Sequence, residues 1–434
     1  MKNYRKIVPV VLALILGLSW YMLLSDSISN SSQYEKYLNE ARKNADLGIT
    51  KYAIKNYNEA IELDNNPEIY VEVAEYYKKQ EDKNLYIDWC EYFFETFPTD
   101  SKAYDYVLDA YLMDSDYSSA YEVLNVASKR NVTSEKIEKC RNEIMYSYYL
   151  EFNTYNDVSV FSSNFCAVKQ KETWSFVNSK GNRLPTVAFK SVGEFTTSGL
   201  APVVDEKNNV YFIDTEGDKV KVTKDKYISF GNISQDIFMA QKENTQFVYL
   251  DLEFNQLFGE NDLATTFNDN VAAIKNNKKW KLINIKGKSI CDKQYVDVIR
   301  DEKEIVSRCE RLFVAENEGK YKLINTDGKE VISQVYEDAQ LFMGQEPTAV
   351  KIEGKWCFID TDGKRKSEKT YEDARPYSNG LAAVCIDGKW GFVDDKENIV
   401  IEPQFFDAKA FNDKGCCFVK TGDNWQLLKL YRFN

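Results

Sequence analysis

The sequence predicts a multidomain α + β chain. It has three parts: an N-terminal transmembrane helix, an α-helical repeat solenoid, and an all-β array of tandem meanders. Three observations predict this. An uncharged run of 18 residues, Ile7 to Leu24, follows the basic residues Lys2, Arg5 and Lys6. Small and large apolar residues then alternate at helical spacing from about Tyr34 to Tyr149. Beyond that, eight aromatics recur at steps of 33 to 41 residues: Trp174, Tyr211, Phe247, Trp280, Tyr321, Trp356, Trp390 and Trp425. A period that regular marks one supersecondary unit copied in tandem.

The first segment, residues 1–26, reads as a basic end and a signal anchor. Its apolar run is near the lower limit for a membrane span and longer than the core of a usual signal peptide. The bulky Leu24 and the acidic Asp26 make a weak cleavage site, so an uncleaved anchor is expected, with a cleaved signal peptide as the alternative. The basic end should stay cytoplasmic, the membrane contact should run through residues 7–24, and everything after about residue 26 should lie outside. Residues 27–33 form a short polar linker.

Residues 34–150 form the helical part. Ala41, Ala45, Tyr57, Ala60 and Ile61 fall at helical spacing, and small residues of this kind let paired helices approach closely. Val73, Ala74, Tyr77, Trp89, Phe93 and Phe97 repeat the pattern, and Ala103, Tyr111, Ala120, Leu124 and Ala127 repeat it again. The segment Tyr52 to Glu68, YAIKNYNEAIELDNNPE, resembles the second helix and turn of a tetratricopeptide repeat. Pro67 and Pro98 are expected to close successive units, and a helix over about Ser134 to Tyr149 is expected to cap the stack.

Residues 152–434 form the β array. Its clearest unit begins at Leu381 with a short apolar strand, LAAVCI. A tight Asp387-Gly388 turn follows, then a strand at Trp390, a polar turn, and a third strand that Pro403 should limit. Other units keep the turns more faithfully than the strands. Gly319, Gly354 and Gly388 hold the first turn, and Gly328 and Gly363 hold the second. A lone meander cannot cover its own apolar face, so the recurring aromatic is expected to plug a core shared between neighbours. Gly380 to Phe411, GLAAVCIDGKWGFVDDKENIVIEPQFFDAKAF, resembles the bacterial WG repeat, although only Trp390-Gly391 keeps the Trp-Gly pair. That resemblance implies a β-rich array and hands over no catalytic residues. The last unit stops two strands in, while the array opens on a tail-like segment, Tyr155 to Phe161. A propeller-like ring of eight blades completed by both chain ends is therefore expected, with an open β-superhelix as the alternative.

Composition bounds the chemistry. With 56 Lys plus Arg against 68 Asp plus Glu, the net charge of −12 disfavours nucleic acid as a main partner. There is no histidine, which removes Ser–His and Cys–His nucleophile pairs and His-ligated metals. No catalytic, cofactor or metal residue is expected. Asp360-Thr361-Asp362-Gly363 resembles half of a calcium loop, but Lys364 and Tyr371 stand where ligands should be, so a plain hairpin turn is expected. The nine cysteines include no Cys-x-x-Cys; several sit in strand-like runs as apolar filler. The reading is a membrane-anchored extracytoplasmic scaffold that holds a protein, peptide or envelope polymer. Its alternatives are a carbohydrate-binding or carboxylate-based carbohydrate-cleaving protein, and a structural spacer. A specific site is expected first at the charged insertion Asp297 to Arg311, inside the longest step of the array.

Overall fold

The computed structural model describes residues 30–185, 188–223 and 225–431. Contacts divide the chain into two compact units that meet in sequence at Met145 and Tyr146. The membrane span expected over residues 7–24 lies outside the described residues. Among those described, no helix is long and apolar enough to cross a membrane.

The first unit holds seven helices among its described residues: α1 (30–46), α2 (Thr50–Leu63), α3 (Pro67–Lys79), α4 (Lys83–Thr96), α5 (Ser101–Met113), α6 (Tyr117–Arg130) and α7 (Glu135–Ile144). Short polar side chains start five of them. Asn66, Asp82, Asp100, Asp116 and Ser134 each accept a hydrogen bond from a first-turn N–H that the helix itself leaves unpaired. Pro67 opens α3 at its first position, where a missing N–H costs nothing, and so begins a unit rather than closing one. From α2 onward successive helices pack on each other, and α3 also touches α5, as α5 touches α7. Ala41, Ala60, Ala74, Ala110, Ala120 and Ala127 are fully buried in the shared core, so close helix approach is where the alanines are spent. The capping helix is shorter than expected. It ends at Ile144, and a strand begins at Tyr148, inside the region assigned to helices. The reason is tertiary: Tyr148, Tyr149 and Leu150 pair with Leu430, Lys429 and Leu428 at the far end of the chain.

The second unit contains eight antiparallel sheets of three or four strands, taken in chain order. Seven are built from consecutive strands. The eighth combines the last strands, Asp407–Ala408, Cys416–Thr421 and Asn424–Leu430, with the first, Tyr148–Tyr155. The first and eighth sheets share a core in which Val158 and Cys166 meet Phe418 and Leu427. The array is thus a closed eight-bladed β-propeller, and the strand missing from the C-terminus comes from the N-terminal side. Closure leaves no blade with a free lateral face. The blade around Phe247, the weakest in sequence, has all four strands.

Turn chemistry sets the blades. Asp387 and Gly388 both have positive φ, 52° and 68°, as a tight hairpin requires. Gly363, at φ +81°, has a second constraint: a Cβ there would lie 2.6 Å from Ile332 Cγ2. The Asp360 carboxylate accepts from the backbone N–H groups of Asp362 and Lys364, at 3.0 and 2.9 Å, so the half-calcium motif is a capped turn. Asn284, Asn325 and Asp394 do the same in their blades. One expectation fails at Pro403. The strand Ile399–Phe405 runs through it, with a register irregularity opposite Trp390 and Phe392. The chain comes so close to Gly391 there that a Cβ would lie 2.5 Å from the Ile401 carbonyl oxygen. That close approach is a physical reason for the glycine of the Trp-Gly pair.

Candidate functional site

The eight anchors all stand at the start of the third strand of their blades. Trp280, Trp356, Trp390 and Trp425 are buried, while Trp174, Tyr211, Phe247 and Tyr321 are only half-buried. All four half-buried anchors still pack against a blade core, so the anchors differ in how deeply they are buried. A second aromatic pairs with most anchors, on a fourth strand or on an isolated bridge: Phe189, Tyr295, Tyr336, Tyr371, Phe405 and Tyr155 stand opposite Trp174, Trp280, Tyr321, Trp356, Trp390 and Trp425. All six of these partners are buried. They take part of the core role, which leaves one face of several anchors free for a cation. Arg375 lies 4.4 Å from the Trp390 ring centre, Arg300 5.0 Å from Trp280, and Lys409 5.4 Å from Trp425.

Those cations follow the short first strand of a blade, an Asp-Ala or Asp-Val pair. In the pairs Asp338–Ala339, Asp373–Ala374 and Asp407–Ala408, the aspartate accepts from the next N–H and fixes the strand start. The next residue differs in each case: Gln340, Arg375, Lys409. These positions meet residues 299–303 and Val160 around one cavity of about 340 Å³, with lining from the first, fifth, sixth, seventh and eighth blades. Lining from so many blades places the cavity at the centre of the ring. The aspartate pair is legible in sequence, and the variable position after it was the available signal for the channel lining.

The charged insertion lies at this centre. Asp301 to Ile305 is a capped turn of the same kind as the blade turns: the Asp301 carboxylate accepts from the N–H groups of Lys303 and Ile305, at 2.9 and 3.0 Å. Its other oxygen takes Nε and Nη2 of Arg308 at 3.0 and 2.6 Å, so the insertion is braced from within. It then reaches across the ring. Thr266 of the fourth blade donates its N–H to the Glu304 carbonyl at 2.7 Å. Ser307 donates to Asp269 at 2.9 Å. Lys409 of the eighth blade pairs with Glu302 at 2.5 Å. Lys303 Nζ comes within 3.1 Å of Glu194 Oε2 in the second blade.

Glu194 is the most perturbed carboxylate at the centre. It is 6 % exposed. Burial pushes its pKa up to about 7, against the pull of Lys303 and with a further push from Glu302 and Asp301. Its Oε2 accepts no hydrogen bond, so the lysine contact is an ion pair without good hydrogen-bond geometry. Nothing in the local sequence around Glu194 marks it, because its partner lies over 100 positions away.

The cysteines stand free, and seven of the nine are buried. Burial raises the thiols of Cys140 and Cys416 to about 11 and of Cys90 to about 12, which suits filler and not nucleophiles. Cys416 and Cys417 point into different cores of one blade.

Comparison with known proteins agrees with the repeat. Residues 323–356, 358–390 and 390–425 match the WG containing repeat, so this part of the propeller is built of WG repeats. No curated protein matches the chain. Among solved structures, the chain is similar to the computationally designed Ika8 protein, with 11% identity, TM-score 0.43, and coverage of 66% of this chain and 99% of that one. It is also similar to the C-terminal WD40 domain of Sif2, with 10% identity, TM-score 0.41, and coverage of 65% and 98%. PorZ, a surface component of the type-IX secretion system of Porphyromonas gingivalis, matches at 8% identity and TM-score 0.35, over 63% of this chain and 42% of that one. The eight-blade count rests on the strand pairing of this chain itself.

Proposed function

We propose that this chain is a non-enzymatic binding scaffold, anchored in a membrane through residues 7–24, with both repeat units on the extracytoplasmic side. The observation that carries the reading is where the blades differ. Repeated residues are consumed in turns and cores, whereas the residues that change from blade to blade converge on the channel and its insertion. A protein or peptide is the partner class this favours, since ring faces present loops to extended surfaces. The helical unit adds to this reading. Its paired helices, buried alanines and contacts between alternate helices support reading it as a tetratricopeptide-like solenoid, a form suited to holding peptides.

Affinity capture of the full-length chain from detergent-solubilised membranes of its host tests the proposal. The control is a chain whose residues 300–308 are replaced by a Gly-Ser loop. A protein recovered with the first and lost with the second is expected; equal recovery by both, or none above background, would overturn it. Alkaline extraction and protease protection of intact cells test the anchor. A chain released by alkali, or shielded from external protease, would refute the membrane part alone.

A further inference from the structure

We propose that the channel cavity beside the sixth, seventh and eighth blades binds a small carboxylate with an apolar body, and that Glu302 occupies the carboxylate position in its absence. This inference stands independently of the scaffold reading. The wall of the cavity includes Val160, Leu341, Met343, Pro376 and Ala410, so its interior suits a hydrocarbon body. At about 340 Å³ it falls at the small end of ligand sites.

Charge accounting points to a single negative charge. Arg308 is committed to Asp301, Lys303 to Glu194, Arg300 to Glu304 and Asp297, and Arg375 to Asp373 and Asp407. Lys409 differs. Its side chain is 19 % exposed and lies over Trp425, while its partner Glu302 is 48 % exposed. The cation is fixed by the blade and the anion reaches in from solvent, so the anion is the half of the pair that a ligand can replace. An exchange of one carboxylate for another leaves the local charge unchanged and adds burial of the ligand's apolar body. A phosphate would bring a second charge, and above about pH 7, where Glu194 is ionised, each other cation lining the cavity already has a carboxylate partner.

Calorimetric titration of the full-length protein in detergent tests this with phenylbutanoate and its neutral amide. The acid should bind and the amide should not. Glu302→Gln removes the internal competitor and should tighten acid binding up to about fivefold, the scale of a half-exposed ion pair. Lys409→Met should weaken it about tenfold or more, as expected for losing a hydrogen bond to a charged group. Lys409→Arg should retain binding, which separates a lost ligand contact from a lost fold, and thermal melts of each variant check the fold directly. A pentapeptide ending in a free phenylalanine carboxylate, beside its amidated form, distinguishes the source. Binding of the free acid alone points to a small molecule; binding of the acid peptide as well points to a partner's C-terminus. The proposal is overturned if acid and amide bind alike, if neither binds, or if Glu302→Gln weakens binding.

Discussion

The two halves of the propeller's inner edge share a strand plan and differ in chemistry. In the second to fourth blades the inner positions are small or uncharged, apart from Glu194: Gly193, Gly231, Asn232, Thr265 and Thr266. These blades receive the insertion, by a backbone hydrogen bond at Thr266 and by an ion pair at Glu194. In the sixth to eighth blades the equivalent positions are Gln340, Arg375 and Lys409, long polar chains that enclose the cavity, of which Lys409 also pairs with Glu302 of the insertion. A repeat sets topology around the whole ring, while a single insertion in the fifth blade divides it into a docking half and an open half.

The largest expected effect tests what the halves share. Trp280→Ala and Trp390→Ala remove buried anchors, one in each half. Each should cost about 3–5 kcal/mol in urea unfolding. A large difference between them would show that the anchors do not play one role around the ring.

The next effect belongs to the docking half. Because Glu194 has its pKa raised to about 7 from 4.5, the folded state holds the proton that the unfolded chain releases. Its stabilising contribution is therefore complete below about pH 4.5 and is lost as pH rises through about 7. Relative to Glu194→Gln, the parent protein should lose about 2–3 kcal/mol between pH 5 and pH 8. Equal pH slopes for the two proteins would mean that the insertion does not bury this carboxylate in solution.

Gly391→Ala tests the open half. The added Cβ meets backbone at Ile401 and Pro403, which cannot rotate away, so a loss of about 1–3 kcal/mol is expected from thermal melts. Retained stability would show that the adjoining strand can shift. The smallest effect is Glu302→Gln. Its half-exposed ion pair should contribute about 0–1 kcal/mol to unfolding. A loss well above that would make the pair a structural lock and would set the open half on the same footing as the docking half.

Sequence and structure part company at identifiable places. The blade count and turn glycines were readable because each rests on local chemistry repeated eight or fewer times. The expected role of Pro403 failed because a bulge lets a strand carry proline where no ladder donor is needed. The anchors were read as uniform plugs, yet four are half-buried; Tyr211 and Phe247, two of these four, are the anchors with no aromatic paired opposite them. The insertion was readable as the place to look, since it lengthens one step to 41 residues. Its partners were not, because Glu194, Thr266 and Lys409 lie in three other blades.

By itself, the sequence determined what short-range physics controls: the repeat period, the hairpin turns, the alternation of helices, the absence of histidine chemistry, and the tail at the N-terminal side that the last blade lacks. Only the tertiary structure decided that the ring closes through Tyr148–Tyr155, that one insertion reaches the second, fourth and eighth blades, and that Lys409 is mostly buried while its anion is half-exposed. The reason is that closure and burial are properties of residues hundreds of positions apart. A desolvated carboxylate or a clamped lysine acquires its character from neighbours that no local pattern records.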